Sequence, residues 1–124
     1  MTAHKFTIEG PPVGYYVQGA RPDWARLKKY RAWKAHVQTC AALAGIKLPL
    51  TASRDRPLQI ATHAYFKTRV HADPENVHKG IVDALFWHPE KGKRGSDKHV
   101  GGEFNHPLYD KQRPRVFVVI EGAK

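Results

Sequence analysis

Cysteine occurs once in the 124 residues, at Cys40, which excludes an internal disulfide framework and any Cys-x-x-Cys pair that would seed a thiolate zinc site. A reducing interior is the expected setting. Nowhere do about 18 apolar residues run together, so no membrane-crossing helix is expected. Met1 to Lys5 have none of the apolar character of a secretory signal. The expectation is a cytoplasmic protein that does not engage a membrane. Repeats, low-complexity tracts and long Pro/Gly/Ser linkers are also missing, so residues 1–124 are expected to form one domain. Acidic residues are few: 11 Asp and Glu stand against 21 Lys and Arg, for a formal net charge of +10 and an isoelectric point near 10.0.

What is present points to a basic globular protein. Hydrophobic residues make up 41% of the chain, with three Trp, five Tyr and five Phe, enough for a core that needs no disulfide or metal staple. The basic excess implies a polyanionic partner. Nucleic acid is favoured because basic and aromatic residues interleave, as in Tyr30-Arg31-Ala32-Trp33-Lys34, and no Lys-rich amphipathic membrane helix stands out.

Apolar and polar residues alternate from His4 to Glu9 and stop at Gly10-Pro11-Pro12, which predicts a first strand followed by loop to Arg21. Asp23 is a helix cap and Gly45 a stop, so a long helix lies between them. On it Leu27, Tyr30, Trp33, Val37, Cys40, Ala41 and Ala44 share a core face, while Lys28, Lys29, Arg31 and His36 lie outside. Cys40 reads as a small core hydrophobe. Leu58 to Phe66 alternates as a half-buried strand and is expected to pair with the first strand. Asp73-Pro74 opens a second helix running to about Phe86. A mobile basic loop is expected over 86–96, a weak strand from Asp97 to Phe104, and a strong central strand from Arg115 to Glu121. The fold class is α+β, a small mixed sheet packed by two main helices.

The second helix carries the chemistry. With Glu75 at 0°, Lys79 falls at about 40°, Asp83 at about 80° and Asn76 at about 100°, while Val77, Ile81, Ala84 and Leu85 fall on the other side. Asp73 sits at the N-terminal end of the charged face. Salt bridges from Lys79 to Glu75 and Asp83 would account for such spacing in an ordinary amphipathic helix. In a protein of this charge, however, Asp73, Glu75, Asp83 and Asp97 would form an acidic island of the kind that holds a hard divalent cation such as Mg²⁺.

These residues resemble the RusA-type Holliday-junction resolvases. That family carries Asp-x-Asp-Asn-x-x-Lys, an Asp one helical turn later, and Asp-Asp-x-x-Val entering a strand. The chain reads Asp73-Pro74-Glu75-Asn76-Val77-His78-Lys79, then Asp83, then Ser96-Asp97-Lys98-His99-Val100. The order of elements is similar across most of residues 6–121, although only about 30 residues carry the motifs. Glu75 stands where the family has Asp, and Ser96 replaces the first residue of the Asp-Asp pair. The resemblance implies that Asp73, Glu75 and Asp97 bind Mg²⁺, with Mn²⁺ a possible substitute, and that Lys79 stabilises charge on the reacting phosphate. It further gives Asn76 a DNA contact and Asp83 the orientation of Lys79, with Lys91, Lys93 and Arg94 as backbone grips. The implied activity is resolution of four-way DNA junctions by paired symmetric nicks, made by a homodimer.

Two other readings stand beside it. One is a non-catalytic DNA-binding protein of the same fold. The other is a nuclease with His-ligated metal, since His71, His78, His88, His99 and His106 fall near this region, but their spacing matches no His-Glu-x-x-His pattern. Glu103-Phe104-Asn105-His106 has a faint likeness to a His-Asn-His nuclease, but Pro107 and Pro114 leave little room for the helix that motif requires.

Overall fold

The computed structural model describes residues 3–16, 19–87 and 99–122. The elements run β1 (His4–Glu9), α1 (Trp24–Leu43), β2 (Leu58–Phe66), α2 (Pro74–Leu85), β3 (Val100–Phe104), β4 (Leu108–Tyr109) and β5 (Arg115–Gly122). They form one α+β domain with a mixed five-stranded sheet. No helix among the described residues is long and apolar enough to cross a membrane.

Local chemistry fixes the helix ends. The Asp23 carboxylate accepts the Arg26 N–H at 3.1 Å, closing the first turn of α1. At the other end Gly45 turns out of the helix with φ of +85°, a left-handed conformation that costs glycine no Cβ clash, and its N–H reaches the Ala42 carbonyl at 3.0 Å. Ala44, assigned to the core face by periodicity, is the exposed C-cap, and Cys40 is only half-buried. Burial pushes the Cys40 thiol above its ordinary pKa, as suits a packing residue rather than a nucleophile.

Strand order is β1-β5-β2-β3, with β4 continuing beyond β3 on the same edge of β2. The expected pairing of β1 with β2 is therefore replaced: β5 lies between them, antiparallel to both, with Phe6 opposite Val118 and Thr62 opposite Val118 on its two sides. The central place of β5 follows from its composition. Val116, Val118 and Ile120 are buried, and a strand of β-branched residues gains most with a neighbour on each edge. β3 runs parallel to β2, as the intervening α2 crossover requires.

Both helices pack on one face of this sheet. Trp33, Val37 and Ala41 of α1 and Val77, Ile81, Ala84 and Leu85 of α2 share a core with Phe6, Ile8, Ile60, Ala64, Phe66, Val116 and Val118. Val116, Val118 and Ile120 of β5 and Leu27, Tyr30 and Trp33 of α1 are thus interior to the monomer. Phe86 is fully buried at the end of α2 and not part of an open loop. The rest of the expected basic loop, residues 88–96 with Lys91, Lys93 and Arg94, lies outside the described residues, as does Asp97.

Candidate functional site

Asp73 has extended backbone angles, φ −65° and ψ 133°, and its Oδ1 accepts the Glu75 N–H at 2.9 Å. Pro74 follows at the first helical position, where its missing N–H costs nothing. Because Val77, Gly80, Ile81, Ala84 and Leu85 must face the core, the helical period turns Glu75, Asn76 and Lys79 outward, and all three are exposed together with Asp73. Four of the expected site residues therefore share one end and one face of α2.

The segment 11–16, read from sequence only as loop, braces that face. Tyr15 donates its N–H to the Asn76 carbonyl at 2.9 Å. Gly14 lies so close to Ala72 that a Cβ there would come within 2.9 Å of the alanine methyl. Lys79 Nζ stands 5.3 Å from the centre of the Tyr15 ring, and Tyr15 in turn sets its edge against Tyr30, with centroids 5.6 Å apart at 87°. Among the described residues no ion pair joins Lys79 to Glu75 or to Asp83, so its ammonium is held by the ring and open to a ligand.

Asp83 departs from the expected role. It is buried, accepting the Tyr30 hydroxyl at 2.7 Å and pairing with Lys34 Nζ at 3.0 Å. Lys34 also lies 4.0 Å from the centre of the Trp87 ring. At about 80° around the helix Asp83 falls on the flank that α1 covers, and its carboxylate ties α2 to α1 instead of orienting Lys79.

Two histidines border the site. His71 stacks on Phe66 with centroids 3.9 Å apart at 16°. Its Nδ1 lies 2.6 Å from the Ala72 carbonyl, which can only accept, so Nδ1 carries the hydrogen. Nε2 lies 2.9 Å from the Tyr109 hydroxyl. His78 lies 2.9 Å from the Thr62 hydroxyl through Nδ1, and burial holds its pKa below the ordinary value of 6.5. Its ring fills the space above Gly102, where a Cβ would meet Nε2 at 2.3 Å. Asn105 is structural: its Oδ1 accepts the Ala64 N–H at 3.0 Å where β3 ends.

Beside Asp73 and Asn76 a cleft of about 460 Å³ opens between segment 11–16, the first turns of α1 and the β2–α2 connection. Three aromatic residues, Tyr15, Tyr16 and His71, and three cationic ones, Arg26, Lys29 and Lys67, are among those that line it. None of these three cations is ion-paired among the described residues. Periodicity had placed Lys29 on the outer face of α1. The Tyr15-Tyr16 pair after Gly-Pro-Pro was the signal that could have drawn attention to the loop.

Asp73 and Glu75 fit a hard cation by donor type, both being exposed carboxylates. Among the described residues no three His, Cys, Asp or Glu side chains are grouped to hold a metal ion, and the third expected ligand, Asp97, lies outside them. No family model matches the chain, and no curated protein matches it.

Proposed function

We propose that the chain is a Mg²⁺-dependent, structure-specific DNA endonuclease that resolves four-way junctions as a homodimer. The observation that carries the reading is the exposure of Asp73, Glu75, Asn76 and Lys79 on one face of α2, in a protein of net charge +10. Motif order adds support through the resemblance to the RusA-type resolvases.

In this reading Asp73 and Glu75, together with Asp97, would hold Mg²⁺, which when bound polarises the scissile phosphate and supplies hydroxide near neutral pH. Lys79, steadied over Tyr15, offers its ammonium to the negative charge that develops on the phosphorane or the leaving oxygen. Asn76 keeps its side chain exposed for DNA while its carbonyl anchors Tyr15. Lys91, Lys93 and Arg94 grip the backbone. A four-way junction has two-fold symmetry, so two copies related by an isologous axis would present one site to each of two strands.

Incubation with a synthetic four-way junction, with Mg²⁺, with Mn²⁺ and with chelator, tests the proposal. Paired symmetric nicks that require metal are expected, with weak action on linear duplex. Equal cutting of linear duplex would leave only a metal-dependent nuclease, and binding without cutting would leave a DNA-binding protein.

A further inference from the structure

The cleft beside Asp73 is built for more than backbone contact. At about 460 Å³ it is within the size range of small-molecule sites. Its walls combine two chemistries: Tyr15, Tyr16 and His71 are aromatic residues in a lining that also includes Val13 and Phe66, while Arg26, Lys29 and Lys67 are cations without carboxylate partners among the described residues. Rings beside unneutralised cations match an aromatic base joined to a phosphate. Several of these side chains are held in place before any ligand arrives. Tyr16 accepts the Asp23 N–H at 2.7 Å and lies under Arg26, 4.9 Å away, while His71 is fixed by Phe66, Ala72 and Tyr109.

We propose that this cleft receives a single unstacked nucleotide of the cleaved strand, immediately beside the scissile phosphate. The inference rests on the endonuclease reading and adds to it the place where sequence preference at the cut is set. Asp73 and Asn76 belong to both the cleft wall and the exposed face of α2, so a nucleotide in the cleft brings its neighbouring phosphate to the carboxylates and Lys79. Unstacking a base is least costly where its pairing or stacking is already weakened, so the cleft would favour a distorted crossover over linear duplex.

Photo-crosslinking in chelator tests this without reading cleavage. 5-Iododeoxyuridine is placed at each nucleotide around the crossover in turn, and the crosslinked residue is mapped by mass spectrometry. The expected result is one preferred nucleotide position, adjacent to the cut, joined to Tyr15, Tyr16 or His71. In the doubly substituted Lys29→Ala/Lys67→Ala protein, both changes being at exposed positions, that crosslink should fall roughly fivefold or more as the phosphate grip is lost. Crosslinks that avoid all three residues at every position would overturn the cleft assignment even if the protein cuts junctions. A crosslink insensitive to the two lysine substitutions would overturn the phosphate grip. If the crosslink forms as expected but no metal supports cutting, the endonuclease reading fails and the nucleotide site stands.

Discussion

Replacing Asp83 should damage the fold far more than the chemistry. Its carboxylate links α2 to α1, with the Tyr30 hydroxyl at 2.7 Å and Lys34 Nζ at 3.0 Å. The side chains of Lys34 and Asp83 are only 15% and 9% exposed, so Asp83→Ala takes the carboxylate away from a lysine held largely out of water. Removing one partner of a buried pair typically costs 3 to 5 kcal/mol, and the residual exposure of Lys34 places this case near about 3 kcal/mol. At about 2.1 cal/mol/K per residue, unfolding 124 residues carries about 0.26 kcal/mol/K, so Tm should fall by about 11 °C. Urea unfolding followed by circular dichroism measures the first quantity and a thermal scan the second. Asp83→Asn should lose less, because an amide oxygen still accepts from Tyr30. Adding Lys34→Met should recover part of that loss by removing the stranded charge. Below its unfolding range the Asp83→Asn protein should cut junctions at near the wild-type rate. A stability within about 0.5 kcal/mol of wild type for Asp83→Ala would refute the reasoning, because a cost that small is what an exposed pair shows. Cleavage lost in a folded Asp83→Asn protein would restore Asp83 to the active site.

Lys79→Ala should slow cleavage by roughly two to three orders of magnitude with an unchanged Mg²⁺ requirement, since the ammonium acts on the transition state; rescue by more Mg²⁺ would show that Lys79 only steadies the carboxylates. His78 has a folded pKa below its ordinary 6.5, so the unfolded chain binds its proton more readily. Its stabilising contribution is therefore full above about pH 6.5 and lost as pH falls from there towards the folded pKa. The urea midpoint should drop on acidification and drop less in His78→Gln; equal pH dependence in the two proteins would contradict the shift. Light scattering should report a dimer, and junction affinity should fall by on the order of 10³ between 50 and 200 mM salt. A monomer with flat salt dependence would remove both the paired-nick geometry and the phosphate grip.

Much of the fold was legible because its signals are local. Asp73-Pro74 and Asp23 announce helix starts through caps that need only the next few residues, and Leu58 to Phe66 and Arg115 to Glu121 declare strands by β-branched and alternating composition. Pairing order was not legible. Whether β1 joins β2 or β5 depends on which strand supplies two good edges, and β5 is more than 100 residues from β1. Leu108–Tyr109 is too short to carry a period. Within the site, the helical period was enough to turn Asp73, Glu75, Asn76 and Lys79 outward together. The same period left Asp83 on a boundary, and its fate was decided by Tyr30 and Lys34 on another helix. The cleft was illegible for a related reason, since Tyr15, Arg26, and the pair Lys67 and His71 come from three separate stretches that only the tertiary fold assembles.

The most direct test of the central claim, that the exposed face of α2 is a carboxylate-metal cleavage site, compares junction cutting by wild type and Asp73→Asn under Mg²⁺ at matched junction occupancy. Asparagine caps a helix as well as aspartate does, so α2 should remain intact while the charge that holds the cation is lost. The prediction is that wild type makes paired symmetric nicks, whereas Asp73→Asn binds the junction as tightly or more tightly and does not cut. Cutting by Asp73→Asn at near the wild-type rate would contradict the account.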